Sequence, residues 1–447
     1  MQHDRQDAAV EDCSPQGSGR STPSLARSTT STRRLARTRL VVEGWRGINH
    51  SIAMVNQNQL LAWRVVPGMQ LFHVDAPFFV PAWNTAQHGA GFEDADTAWL
   101  GGLPAPDGGP VDAVFRIHSP ILPPPLAQAT DAPRRLSYVI TEFGLSGKSF
   151  GGAAIDPLDF TRGDDRVVTA TAWSRDRLLD HGFDDRHVHV VPHGVRLETF
   201  HPSPTAQRRA ERAALGLHDD HFVFANVGVA TWNKGIDQLL IAFARVRQRH
   251  AGARLLLKDH RSLYGLSAET VFQSVAKSHP GLLSSEVLAS ISLITHNLNQ
   301  AQLRALYACA DCYVSPYRAE GFNLPVLEAL ACGTPVVVTA GGATDDFCSG
   351  PWATRVRGRA GTMPDAQVPG GRYIEIDADG LVDAMEQRLQ AAEPDRRLGG
   401  TAWERFRLAM AWDRVSLDVL ALCLGDPPQA VQPTVEAEDA QSQKLAA

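Results

Sequence analysis

Short apolar runs bounded by Gly, Pro or Asn alternate along this chain with longer segments whose apolar positions recur at helical spacing. The first series opens with RLVVEGW, a Gly44/Gly47 loop and the helical stretch SIAMVNQNQLLAW. Strands are predicted at QLFHV (70–74), AVFRIH (113–118), LSYVITEF (136–143), RVVTATAW (166–173) and HVHVVPHG (187–194). Pro81–Pro110 and Pro120–Pro133 read as Gly/Pro-rich loops, too irregular for helix. After Val195 a linker leads into a short charged helix, and a second series follows. Its predicted strands are FVFANVG, ARLLLK (253–258), EVLASISLI (286–294), DCYVSP, PVVVT and a short YIEI (373–376). Helices are predicted at 235–250, 300–308 and 381–391, with one more amphipathic helix over 402–424. Strands alternating with helices imply βαβ units and parallel sheets. Two such series imply an α/β chain of two Rossmann-like domains, with a ligand cleft between the strand C-termini. The expected boundaries are a disordered tail 1–38, domains 39–203 and 204–400, a helix 401–425 packing back on the first domain, and a loose tail 426–447.

Composition narrows the classes. At 447 residues the chain is too long for one ordinary core. A net charge of -6 argues against a general nucleic-acid binder, which would carry a basic surplus. The longest apolar run, around 329–343, is interrupted by Gly333 and Pro335, so no bilayer span is expected. Six scattered cysteines in apolar surroundings fit reduced thiols and a cytoplasmic protein. Cys309 and Cys312 form a single C-x-x-C, read as buried packing. The arginine-containing, acid-free stretch Ser14–Arg39 superficially resembles a transit peptide, but a flexible tail is the preferred reading. Peripheral contact with the inner face of the membrane is left open.

The densest chemistry lies between Cys312 and Thr339. CYVSP reads as a buried strand, Tyr317–Leu324 as a loop turning at Gly321, and Pro325 as the first turn of a helix over Val326–Ala331. Glu320 therefore sits above a strand end and Glu328 one turn into the helix. Free N–H groups at a helix start attract anions, phosphate above all. Carboxylates accept paired hydrogen bonds from hydroxyls. Together they suit a ligand that is part phosphate and part sugar. Lysine is rare here, at five residues, and two of the five, Lys234 and Lys258, fall at strand ends of the second half.

The segment EGFNLPVLE (320–328) followed by ALACGTPVV resembles the E-x7-E region of retaining GT-B glycosyltransferases of the family-4, glycosyl transferases group 1 type. VPHGV (191–195) is similar to that family's N-G-V turn, and VGVATWNKG (227–235) to its phosphate loop. The resemblance is strong over 187–345, fair over 40–186 and absent from both tails. It implies a GT-B fold and transfer of a sugar from a UDP- or GDP-sugar with retained configuration, without a metal or other cofactor. The acceptor would be a saccharide, a lipid-linked glycan or a protein. By the resemblance, Glu328 binds the ribose hydroxyls, Glu320 lies near the donor sugar and Lys234 holds the diphosphate. Phe322, Asn323 and Leu324 offer backbone N–H groups to the phosphates or sugar. Leu298 falls where the nucleobase packs, and Gly47 matches a turn that approaches the phosphates. His118, in RIHSP, is similar to a histidine beside the donor sugar. Asn323 stands where a small residue is usual. Val229 replaces a common arginine, for which Lys258 is the expected substitute. His193 is read as structural, while Glu142 and Ser174 lie near strand ends on the acceptor side. Asp94-Ala95-Asp96 is not read as a metal motif. The alternatives are a phosphorylase or nucleotide-sugar epimerase of the same fold, and a non-catalytic nucleotide-sugar-binding homologue.

Overall fold

The computed structural model describes residues 38–86, 88–121, 132–153, 155–260, 264–364, 366–391 and 397–427. The first domain runs β1 (Arg39–Gly44), α1 (Ser51–Trp63), β2 (Gln70–Asp75), α2 (Asp94–Gly101), β3 (Ala113–Ile117), β4 (Arg135–Tyr138), β5 (Arg166–Thr169), α3 (Ala172–Asp180) and β6 (Val188–Val190). Its six strands pair in the order β2-β1-β3-β4-β5-β6, all parallel. The second domain starts with α4 (Thr205–Ala214), β7 (Phe222–Gly228), α5 (Ile236–Arg249), β8 (Ala253–Asp259), α6 (Ala268–Ser278), α7 (Ser285–Leu288) and β9 (Ile291–Ile294). It continues with α8 (Gln300–Cys309), β10 (Cys312–Ser315), α9 (Leu324–Ala331), β11 (Val336–Thr339) and β12 (Ala353–Val356). A second parallel sheet results, ordered β12-β11-β10-β7-β8-β9. Its inner strands are buried along almost their whole length, as parallel strands covered by helices on both faces must be.

The last elements are β13 (Gly358–Thr362), β14 (Arg372–Ile376), α10 (Ala378–Gln390), α11 (Gly400–Ala409) and α12 (Trp412–Leu424). Helix α12 returns to the first domain. Its Trp412, Val415, Val419 and Leu422 share a core with Leu40, Trp63 and Phe115, and the Trp63 indole N–H donates to the Ser416 carbonyl across 2.9 Å. Among the described residues no helix is long and apolar enough to cross a membrane.

Several local expectations are corrected. The run 166–173 stops being strand at Thr169, because the Thr171 side chain accepts from the Ser174 N–H and starts α3. The run 136–143 is strand only to Tyr138, and 286–294 divides into α7 and β9. The segment 81–110 contains helix α2, with Asp94 and Asp96 in its first turn. The helix expected over 402–424 is two, parted at Met410–Ala411. There the Val195 N–H donates to the Met410 carbonyl (2.8 Å) and the Trp412 N–H to the Val195 carbonyl (3.2 Å), diverting backbone groups from the helical ladder. YIEI forms an antiparallel hairpin with β13 rather than an edge of the parallel sheet. Of 120–133, residues 122–131 lie outside the described residues.

The domains meet at close range. Thr171 Oγ1 donates to the Gly321 carbonyl (2.9 Å), and Ala172 N–H to Asp346 Oδ2 (2.8 Å). A Cβ on Gly321 would stand 2.6 Å from Ile140 Cγ1, so this approach requires glycine.

Candidate active site

In the second sheet the strand order reverses at β7, with β8 on one side and β10 on the other, and ligands favour the crevice beyond such a switch. A cavity of about 470 Å³ opens there, within the roughly 300–1,000 Å³ usual for small-molecule sites. The second domain lines it with Asn226–Val229, Asn233, Lys234 and Glu320–Pro325, and the first domain with Asn49–Ile52, Tyr138 and Ile140–Glu142 among others.

Two loops bring Lys234 and Glu320 together. The Arg318 N–H donates to the Asn233 carbonyl (2.7 Å), and the Asn233 side-chain amide to the Ala319 carbonyl (3.1 Å). The Arg318 guanidinium binds Asp237 (2.8 Å) and Glu375 (2.7 Å) and lies over the Trp232 ring. Gly235 has φ +67°, and a Cβ there would stand 2.0 Å from the Pro316 carbonyl oxygen, so the Lys-Gly step is forced by the turn. Lys234 Nζ then lies 2.8 Å from Glu320 Oε1 and 3.0 Å from Glu142 Oε1, the latter on the first domain.

Electrostatics distinguish these groups. Burial opposes the Lys234 charge, but Glu142 and Glu320 outweigh it and raise its pKa above the ordinary lysine value. Burial raises Glu320 above the ordinary carboxyl range, against the pull of Lys234. Glu328 is pushed up to about 7 by burial, opposed by a hydrogen bond from the Tyr307 hydroxyl at 2.8 Å. Burial lowers His50 and His260 to about 4 and His193 to about 3, so the cavity's histidines are neutral near pH 7. Among the described residues of the lining, the charged cations are Lys234 and Arg196, and Arg196 is paired with Asp96 and Glu198, each at 2.8 Å.

Seven of the ten residues expected from sequence line this one cavity: Lys234, Leu298, Glu320, Phe322, Asn323, Leu324 and Glu328. Asn323 has φ +81°, the left-handed region where glycine is the cheapest residue and Asn among the next. Its side-chain amide donates to Ser315 Oγ (3.0 Å), fixing the chain at the entrance of α9. The Phe322 side chain packs in the core, stacked on Phe347 and tilted against the His193 ring.

Three residues stand outside the lining. His118 is buried, with Nδ1 3.0 Å from the Pro120 carbonyl, and burial beside Arg116 lowers its pKa to about 4. Lys258 is 1% exposed, its Nζ donates to the Asp259 carbonyl, and burial lowers its pKa to about 8. It does not replace the cation missing at Val229. Gly47 donates its N–H to the Gln57 side chain (2.9 Å) rather than presenting it to the cavity. Asp96, of the Asp94-Ala95-Asp96 sequence, is engaged by Arg64 (2.7 Å) and Arg196. Sequence left Glu142 without a contact; it proves to be the first-domain partner of Lys234. Ser174 lies behind it, accepting the Thr141 N–H at 3.0 Å. Tyr307 and His50 were missed. The side chain of Tyr307 is one helix away from Glu328, a pairing no local pattern carries.

Residues 207–349 match the family described as glycosyl transferases group 1. A D-inositol 3-phosphate glycosyltransferase of Segniliparus rotundus is 33% identical over 267 residues, 53% of this chain and 56% of the relative. An MMP alpha-(1->4)-mannosyltransferase of Mycolicibacterium hassiacum is 25% identical, with 57% and 53% covered. The chain thus spans just over half the length of these curated relatives. Among solved structures, Anabaena HepE in complex with UDP and glucose superposes with TM-score 0.57 at 12% identity, covering 86% of this chain and 98% of that one. Sucrose-phosphate synthase from Thermosynechococcus elongatus gives TM-score 0.55 at 15% identity, covering 86% and 98%. At such identities the superpositions speak for the fold alone. The chain has the GT-B fold, and within it residues 207–349 match the glycosyl transferases group 1 family.

Proposed function

We propose that this protein is a retaining glycosyltransferase that moves a sugar from a nucleoside-diphosphate sugar to an acceptor hydroxyl, with no metal required. The observation that carries the reading is the convergence of Lys234, Glu320 and Glu328 with the N-terminal end of α9 on one cavity between two parallel sheets. Glu328 takes the ribose hydroxyls, and Lys234 takes the diphosphate. As the sugar–phosphate bond breaks, negative charge grows on the leaving phosphate, and a fixed ammonium stabilises that charge more than it stabilises the ground state. Glu320 holds a sugar hydroxyl and faces the cationic ring of the transition state. The acceptor hydroxyl attacks on the leaving-group face and passes its proton to the departing phosphate, so retention needs no protein nucleophile. The names of the relatives, and the UDP and glucose in complex with HepE, support a nucleotide-sugar donor and a hydroxyl acceptor.

The test is a panel of UDP- and GDP-sugars with the purified full chain, read by calorimetry and by nucleotide release on adding saccharide, lipid-linked or protein acceptors. The anomeric configuration of any product follows by NMR. Binding and release with retained configuration support the proposal. Neither binding nor release across the panel, or an inverted product, overturns it.

A further inference from the structure

Three consecutive residues of the first domain, Glu142–Gly144, are held by the second. Glu142 Oε1 lies 3.0 Å from Lys234 Nζ, and its Oε2 accepts from the Asn233 amide at 2.9 Å. The Phe143 ring lies nearly parallel to Trp232 with centroids 6.3 Å apart, and its carbonyl accepts from the Arg372 N–H at 2.8 Å. Gly144 sits against Gly371 of the β13–β14 hairpin. From behind, the Trp173 indole donates to the Glu142 carbonyl at 2.7 Å, which sets the loop's direction. The clasp therefore ends on the one lysine the proposed reaction relies on.

Charge makes that contact consequential. Lys234 already stands between two carboxylates, Glu142 and Glu320, and Arg196 is committed to Asp96 and Glu198. A diphosphate brings two more negative charges to the same ammonium. Like charges at contact distance repel strongly in a partly desolvated site. Glu320 is fixed from within its own domain, while Glu142 is 41% exposed and reaches in from the other. The group able to yield is Glu142.

We propose that Glu142 is a built-in competitor of the donor diphosphate for Lys234: it ties the first domain to the lysine and is displaced when the phosphate arrives. The inference rests on the nucleotide-sugar reading above and adds to it a residue that sets donor affinity from the opposite domain. Binding and domain contact are thereby linked, since the diphosphate must break a bond between the domains to take its place.

The test measures UDP and GDP affinity of the full chain by calorimetry for wild type, Glu142→Gln and Glu142→Asp, with thermal unfolding to establish that each is folded. Glu142→Gln removes the charge. Glu142→Asp keeps it but withdraws the carboxylate by one methylene. Direct competition gives tighter binding of the preferred nucleotide in both variants, by tenfold or more for Glu142→Gln and by a smaller factor for Glu142→Asp. Unchanged or weaker binding by Glu142→Gln overturns the proposal. So does tighter binding by Glu142→Gln with Glu142→Asp equal to wild type, which marks a diffuse field rather than a contact. If wild type and both variants bind neither nucleotide, the donor reading itself fails.

Discussion

The Tyr307 hydroxyl donates to Glu328 Oε2 across 2.8 Å, with the Tyr307 side chain wholly buried and both residues on the wall of the same cavity. One carboxylate oxygen is thus held by the protein while the group is turned to the cavity. Tyr307→Phe keeps the ring and deletes this hydrogen bond to a chargeable group, worth about 1.5–3 kcal/mol. UDP binding should weaken by roughly 10- to 100-fold. The diagnostic readout is the preference for UDP over its 3′-deoxy analogue, which should shrink in the variant. An unchanged preference would separate Tyr307 from ribose recognition.

A pH dependence follows from Glu328, pushed up to about 7 by burial. A protonated carboxyl accepts ribose hydroxyls less well, so affinity for UDP-glucose, whose diphosphate does not titrate in this range, should rise as pH increases through about 7 and then level. Since Tyr307 lowers this pKa, Tyr307→Phe should move the rise to higher pH. Stability runs the other way. A carboxyl whose folded pKa is raised stabilises the fold below its unfolded pKa, and that contribution is lost as pH climbs through the folded value. Thermal unfolding of Glu328→Gln should therefore change less between pH 5 and pH 8 than that of wild type.

Gly321 tests the contact between the domains. Gly321→Ala places a methyl group against Ile140 Cγ1, at 2.6 Å for the ideal position, and forces the two apart. Transfer should fall by tenfold or more, with donor affinity less affected than turnover. Ile140→Ala, which shortens the opposing side chain, should restore much of the loss in the double variant. Failure of that rescue would show that the glycine is needed for another reason.

Much of this architecture was legible because parallel strands announce themselves locally. FVFANVG and PVVVT are buried on both faces and appear as unbroken apolar runs, and Gly333 and Pro335 mark the turn between α9 and β11. The same rule misled at RVVTATAW, where the apolar run continues past the strand into a helix and only the Thr171 cap marks the change. The run 402–424 failed differently: its interruption is a backbone bridge to Val195, a contact from more than 200 residues away. In the site, residues carried by the E-x7-E segment and the Lys-Gly turn came together because short loops hold them. His118 and Lys258 did not, since a strand-end residue can face a cavity or the core and spacing alone does not choose. Glu142 was suspected only as a strand-end acid; its partner lies on another domain.

The central claim is that Lys234 and Glu320 act together on the breaking sugar–phosphate bond. The most direct test is the turnover number for sugar transfer by wild type, Lys234→Ala and Glu320→Ala under saturating donor and acceptor, with folding verified by thermal unfolding. Loss of charge stabilisation at the transition state predicts a drop of roughly 100- to 1,000-fold in each variant. Wild-type turnover retained by both folded variants would contradict the account.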